Sequence, residues 1–460
     1  MLHESEHLSA GNQSDRALLI IGPNIGCLDN WAPVLAAYQD EDERRKIDCL
    51  FRDLGVAAQF TGENAVYALA GSSVVGAFIK ASPEYWIKLS SVRIAHDIAE
   101  HRRPLMHRVL SAAVRLLAVR KGSIRVRIAR LSARALVSLT PHLSLCREAA
   151  RVSGYSCFLF DLWELRKRYF ESLIRRIPAE KCISLFHGFS VSPSEQGGRR
   201  FERGRDGEAA AKRFALGGVR ALLFSPREIP FYRKKYYLPE SRMTVVGIPR
   251  HEQGWIQRVQ RFRRATLPAT SKSRIFLASR PTQSILPEER KRRALTEIRN
   301  LLIEERGYKL IIKQHPKEKL ENLFNEVFGE AQYGDTWEFT QEHVFVAAQG
   351  CAFGIVFYSA LSLDLLMMGL PVIEYLDLSG IDDFGGAEMV RDSDGNPCLE
   401  YRFWGLVYGV GNRDEFMEAV LKAETHPEEF TERLRRNYSR LFPSPEGAAR
   451  RAAMVLGSET

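Results

Sequence analysis

Two histidines stand directly after short apolar runs that read as strands. His187 follows residues 182–186 (CISLF), and His315 follows Leu310, Ile311 and Ile312 within YKLIIKQHPKEK. An imidazole at a strand end can give or take a proton near neutral pH, although either residue alone reads more readily as an ordinary loop position than as a catalyst. Pro316 restricts the backbone after His315 and keeps that corner turned outward. Other polar residues occupy the same kind of position. Ser279 and Arg280 follow the apolar run 275–278, and Ser359 follows residues 355–357. Ser359 is a good N-cap for a helix over 360–368, whose free amides and positive end suit an anion, while Gly369 supplies the stop. Glu374 closes the strand-like run that starts after Pro371, with a ribose contact and a solvent-facing strand end both open to it. Asp29 follows the first glycine-bearing turn, as an acceptor-side group or a plain helix cap. Groups of these kinds fit reactions in which negative charge builds on a leaving phosphate. A protonated imidazole, a guanidinium and helix amides can stabilise that charge without a metal.

The elements that must hold these residues are legible as an alternation. Residues 17–21 read as a strand, a Gly-Pro-Asn-x-Gly turn follows, and an amphipathic helix starts near Asp29. Strand-like runs recur at 156–160, 182–186, 221–224 and 243–246, with a helical stretch at 161–176. Residues 251–273 are polar and basic and read as an interdomain connection. The alternation then restarts, with strands at 275–278, 310–312, 353–357 and 372–375 and a charged helix over 287–305. The tail over 413–455 has a helical pattern broken near Pro443 and Pro445. Strands alternating with helices predict an α/β fold with parallel sheets. At 460 residues the chain is too long for one ordinary core. The expected organisation is two Rossmann-like domains facing a central cleft, with a basic helical insertion in the first. That places an N-terminal domain at 1–255, a C-terminal domain at 270–440 and a C-terminal helix at 441–460. Ligands in such sheets bind beyond the carboxyl ends of the strands, where the singled-out residues lie.

Composition narrows the classes. Hydrophobic residues make up 45% of the chain and charged ones 27%, as in a globular protein. There is no run of eighteen apolar residues to span a membrane, and the polar, acidic start does not read as a secretory leader. Seven cysteines without a CxxC pair read as reduced thiols of a cytoplasmic protein rather than a zinc site or disulfide frame. The net charge of +10 is concentrated. Residues 101–147 contain no acidic residue and eleven Lys or Arg, interleaved with Leu, Val and Ile. That pattern suits an element lying on anionic lipid, and equally a solvated basic face beside a core. Nucleic acid is disfavoured because stacking aromatic residues are missing there. Asp392 and Asp394 have the Asp-x-Asp spacing of metal-dependent sugar transferases. With no strand before it, RDSDGNPC reads as a turn, so no metal and no cofactor are assigned.

The order His-Gly after a mid-chain strand, strand-His-Pro, then strand-Tyr-Ser-helix-Gly-x-Pro-Val-Ile resembles the nucleotide-sugar transferases of the GT-B type. Within them it is most similar to surface-polymer enzymes, the CDP-glycerol glycerophosphotransferases and the capsular polysaccharide transferases. The resemblance covers about residues 180–380. It implies a catalytic role on the acceptor side for His187, with Gly188 beside it, and a donor-phosphate contact for His315. It also implies a pyrophosphate contact for Ser359. Ser279, Arg280 and Glu374 join the donor-binding set, and Asp29 the acceptor side. Phe189, Ser190 and Val191 stand where the glycerophosphotransferases carry Thr-Pro and a basic residue. Phe357 replaces an acidic residue and Ala360 a second serine. The resemblance therefore implies the transferase fold more than glycerol phosphate as the group transferred. The expected activity is metal-independent transfer of a sugar or polyol-phosphate from a CMP- or CDP-type donor to a glycan or lipid-linked acceptor. It would take place at the cytoplasmic face of an anionic membrane. A sugar-nucleotide epimerase of the same fold and a non-catalytic nucleotide- or glycan-binding assembly protein are the alternatives.

Overall fold

The computed structural model describes residues 16–21, 26–42, 44–51, 89–94, 155–161, 177–186, 188, 218–263, 273–315, 318, 321–340, 342–381, 390–392 and 394–457. Among them, seven strands form a first, fully parallel sheet: β1 (Arg16–Ile21), β2 (Lys46–Phe51), β3 (Leu89–Ile94), β4 (Cys157–Phe160), β5 (Cys182–Leu185), β6 (Arg220–Leu223) and β7 (Met243–Val245). Their spatial order is β3-β2-β1-β4-β5-β6-β7. The second half starts with β8 (Arg274–Ala278), β9 (Lys309–Lys313), β10 (Trp337–Phe339), β11 (Cys351–Val356) and β12 (Val372–Tyr375). A small antiparallel hairpin, β13 (Val390–Arg391) with β14 (Pro397–Cys398), precedes β15 (Tyr408–Val410). The second parallel sheet runs β10-β9-β8-β11-β12-β15. In both sheets the order reverses between the first strand of the half and the fourth, which opens a crevice at their carboxyl ends. The two Rossmann-like halves expected from the alternation are both present.

Burial explains the composition of the strands. CFLF of β4 and CISL of β5 are buried along their whole length, as parallel strands covered on both faces must be. Successive side chains divide between two cores. Leu19 joins a cluster that continues through α1 (Gly26–Glu41) into the second half, and Leu18 joins a smaller one on the opposite face of the first sheet.

Several boundaries differ from the sequence reading. The first helix begins at Gly26, before Asp29. Part of the expected connection is helical, since α2 (Gln253–Arg263) buries Trp255, Ile256 and Val259 on one face. Its spacing of apolar residues four and three apart is a helix signal that the surrounding Arg and Gln obscure. The charged helix divides into α3 (Glu288–Ile298) and a π-helical segment, Arg299–Glu305. The helix after Ser359 is α4 (Leu361–Met367), and Gly369, at φ +87°, takes the left-handed turn that ends it. The tail forms α5 (Arg413–Thr425), α6 (Pro427–Leu441) and α7 (Ala448–Gly457), so the last helix starts at Ala448 rather than at residue 441. α7 packs back on α1, and the Ala449 amide donates to Glu252 Oε1 at 2.7 Å. The basic element at 101–147 and the helical stretch at 162–176 lie outside the described residues. No helix among those described is long and apolar enough to cross a membrane.

Candidate functional site

Strands β9, β8 and β11 are neighbours and parallel, so their carboxyl ends line one edge. The loops leaving them are tied directly to one another. The Ser279 amide donates to Lys313 O at 2.9 Å, joining the end of β8 to the end of β9. Ser279 Oγ donates to Glu318 Oε1 at 2.9 Å, and the His315 amide donates to Glu318 Oε2 at 3.3 Å. Across the switch point, Arg280 Nη1 donates to Tyr358 O, and its guanidinium lies 4.9 Å from the centroid of the Tyr358 ring. Four of the donor-side residues expected from the sequence, Ser279, Arg280, His315 and Ser359, therefore share one crevice. His315 is exposed, Arg280 and Ser359 are half-buried, and Ser279 is buried.

Tyr358 is held in an unusual conformation. Its φ of +53° lies in the left-handed region, which L-residues with bulky side chains seldom enter. Arg280 holds its carbonyl, and its hydroxyl donates to Glu400 Oε1 at 3.1 Å. This backbone turn directs the chain from β11 into α4. The helix begins one residue later than expected, with Ala360 rather than Ser359 at its N-cap, and Ser359 Oγ, just before the cap, accepts from the Leu361 amide at 3.3 Å. The hydroxyl proton of Ser359 is still available to an anion.

Glu374 is placed differently from the solvent-facing strand end that the sequence also allowed. It is 1% exposed, and neither carboxylate oxygen has a hydrogen-bond partner among the described residues. Burial pushes its pKa up to about 7, against the pull of the nearby Arg402 and Arg280 and with Glu400 adding to the rise. Gly409 on the adjacent β15 makes room for Arg402, because a Cβ there would sit 2.2 Å from Arg402 Cδ. Asp392 and Asp394 lie in a tight turn. Asp392 Oδ1 accepts from the Asp394 and Asn396 amides at 3.0 and 2.8 Å. No group of three potential metal ligands occurs among the described residues.

On the acceptor side, His187 lies outside the described residues. Gly188, just beyond it, is half-buried and packs near the Phe186 ring. The Asn30 side-chain amide donates to Phe186 O at 2.9 Å, which brings the start of α1 to the end of β5. Asp29 beside it faces the second half. Its Oδ1 accepts from His343 Nε2 at 3.0 Å, and Arg250 Nη1 approaches its Oδ2 at 3.4 Å. His343 Nδ1 accepts from the Phe345 amide at 3.2 Å, so the ring proton is on Nε2. Lys313 Nζ donates to Glu342 O at 2.6 Å and braces the same loop. Burial lowers the pKa of Lys313, with Asp29 and Glu342 opposing.

A second set of residues, missed in the sequence, fastens the two halves together. Asp364 in α4 accepts from Arg250 Nη2 at 2.9 Å and from His251 Nε2 at 2.9 Å. A carboxylate only accepts, so His251 carries its proton on Nε2 while Nδ1 accepts from the Tyr438 hydroxyl at 2.9 Å. Burial lowers the His251 pKa, the Arg250 charge adds to the fall, and Asp364 opposes it. Asp364 is fully buried between Leu363 and Leu365. A lone acid inside LSLDLLMM is the one sequence signal that marks this junction.

No protein-family model matches the sequence, and no curated protein does. Solved structures match it in fold. The UDP-GlcNAc 2-epimerase from Neisseria meningitidis, bound to UDP-GlcNAc, superposes with a TM-score of 0.53 at 9% identity. That match covers 96% of this chain and 99% of the epimerase. A putative UDP-N-acetylglucosamine 2-epimerase from Listeria monocytogenes gives 0.51 at 10% identity, over 95% and 94% of the two chains. A variant of the wall teichoic acid polymerase TagF gives 0.51 at 10% identity, over 97% of this chain and 89% of the polymerase. Likeness at such identity speaks for the fold alone, and with the two switch-point sheets it makes this chain a two-domain protein of GT-B-like fold.

Proposed function

We propose that the chain is an enzyme that transfers a sugar or polyol-phosphate group from a nucleotide-activated donor, CMP- or CDP-type favoured, to a cell-surface polysaccharide acceptor. The observation that supports it most is the hydrogen-bonded union of the loops after β8, β9 and β11 at one switch point, which gathers Arg280, His315 and Ser359. In this reading the guanidinium of Arg280 and the imidazole of His315 meet the charge developing on the donor phosphates, and Ser359 Oγ adds a hydroxyl donor. Glu374 serves the nucleotide ribose once the buried carboxylate is reached. His187 accepts the acceptor's proton, with Asp29 and Gly188 on the same side. No step is routed through a metal, so turnover is expected to survive a chelator, and loss restored by magnesium or manganese would overturn that part.

Thermal denaturation with CMP, CDP, UDP and GDP tests the reading, because a ligand of the folded state raises the melting temperature by mass action. The base giving the largest rise identifies the donor class, and no rise with any of them would refute nucleotide binding. His315→Ala is expected to weaken nucleotide affinity and turnover together. His187→Ala should leave affinity near wild type while turnover falls about 10²–10⁴-fold, the usual range for a positioned acid or base.

Epimerisation is the second reading, favoured by the end-to-end likeness to a UDP-GlcNAc 2-epimerase. It predicts isomerised UDP-sugar in the absence of any acceptor, which the transferase reading does not. Residues 101–147 would hold the enzyme on the membrane through their unopposed cations. Sedimentation with anionic vesicles at low salt, released as salt rises, checks this, and equal binding to neutral vesicles would count against it.

A further inference from the structure

Lys291 and Glu318 form an ion pair whose two side chains are both fully buried. Lys291 projects from α3 with its ammonium 5.1 Å from the centroid of the Phe324 ring. A pair removed from water in this way gives little net stability, because desolvation offsets the attraction. Its contacts show what it does instead. Lys291 Nζ donates to Arg280 O at 2.7 Å as well as to Glu318. Glu318 accepts from Ser279 Oγ with one oxygen and from the His315 amide with the other, and its own amide donates to His315 O at 2.8 Å. The pair thus holds the backbone of Arg280 and His315, two of the residues that the proposed function assigns to the donor phosphates. Burial lowers the Lys291 pKa, while Glu318 and, less strongly, Glu288 oppose the fall.

We infer that Lys291 and Glu318 are positioning residues that set Arg280 and His315 in their donor-binding arrangement before the nucleotide arrives. The inference rests on the nucleotide-binding reading above. A pre-set anion site binds more tightly because the ordering of its groups is already done when the ligand enters. Replacing the pair by apolar residues should then separate stability from affinity.

The test compares wild type, the double variant Lys291→Met with Glu318→Leu, and the double variant Lys291→Met with Glu318→Gln. Thermal melting and calorimetric titration with CMP, CDP, UDP and GDP are measured on each. The Met/Leu variant is expected to melt at or above wild type and to bind the preferred nucleotide about tenfold more weakly, the size of one lost hydrogen bond to a charged group. The Met/Gln variant keeps one carboxamide oxygen, which can accept from the His315 amide while its NH2 donates to Ser279 Oγ, so it should recover part of that affinity. Wild-type affinity in both variants would overturn the inference and leave the proposed function standing. Parallel loss of melting temperature and affinity in both variants would mark the pair as structural only. If wild type binds none of the four nucleotides, the proposed function fails, and the positioning role fails with it.

Discussion

The crevice at the ends of β8, β9 and β11 and the junction around Asp364 are both networks of charged and polar groups, but they differ in accessibility. In the crevice, buried groups hold the backbone while Arg280, Ser359 and His315 keep side chains in reach of solvent. At the junction, Asp364, Arg250 and His251 are all buried, and their polar contacts run to one another, to Tyr438 and to Asp29. The first arrangement keeps polar side chains at a solvent-accessible edge. The second uses its capacity to fasten α4 and α6 of one half to the 249–251 turn that follows the first sheet. Removing a residue from the junction should therefore be read in stability, and removing one from the crevice should be read in binding.

The largest expected effect is at the junction. Asp364→Leu removes the nearer of the two carboxylates beside the buried Arg250 guanidinium, along with the acceptor of His251, and should lower unfolding stability by about 3–5 kcal/mol. Denaturant unfolding measures it. A loss below about 1 kcal/mol would mean that Arg250 finds water or another partner, and the contrast with the crevice would collapse.

Glu374 sharpens the comparison from the crevice side. Its carboxyl titrates at about 7 in the folded protein against an ordinary value of 4.5, because burial disfavours the anion. The folded state therefore holds a proton that the unfolded state has already released. Stability falls as pH rises from 4.5 to about 7 and stays reduced above that. Glu374→Gln should be more stable than wild type at pH 8 by on the order of 1–3 kcal/mol, a gain that vanishes in acid below the unfolded pKa. Unfolding curves for both proteins across that range decide it. A variant less stable than wild type at pH 8 would show that Arg402 and Arg280 already satisfy the anion. The same substitution should weaken nucleotide binding if the carboxylate meets the ribose.

The smallest effect is expected at Ser359, where the bond at the helix entry and the proposed ligand contact share one oxygen. Ser359→Ala removes the bond from the Leu361 amide and should lower stability by about 1 kcal/mol. Its loss of nucleotide affinity should be milder than that of His315→Ala, and calorimetry of the two variants ranks them. An unchanged melting temperature with lost affinity would make the hydroxyl a ligand group alone.

The crevice residues were legible because each announces itself over a few neighbours. An apolar run followed by Ser-Arg, Gln-His-Pro or Tyr-Ser reads as a strand end, and in a parallel sheet all strand ends meet at one edge. Where local reading failed, polarity misled it. Residues 253–263 carry so many Arg and Gln that the helical spacing of Trp255, Ile256 and Val259 is easily passed over. Glu374 read as a possible surface carboxylate because nothing beside it in sequence reveals that β15 and the Arg402 side chain cover it.

The sequence alone determined the alternation of strands and helices, the two halves, and the set of side chains delivered to the carboxyl edge of the second sheet. Those properties follow from periodicity and from residues a few places apart. Tertiary structure decided the rest. Asp29 meets His343 across 314 residues, Arg250 meets Asp364 across 114, and Lys291 meets Glu318 across 27. Contacts of that kind have no local pattern, because the partner that makes a buried polar or charged group tolerable is chosen by how sheets and helices pack and not by its place in the chain.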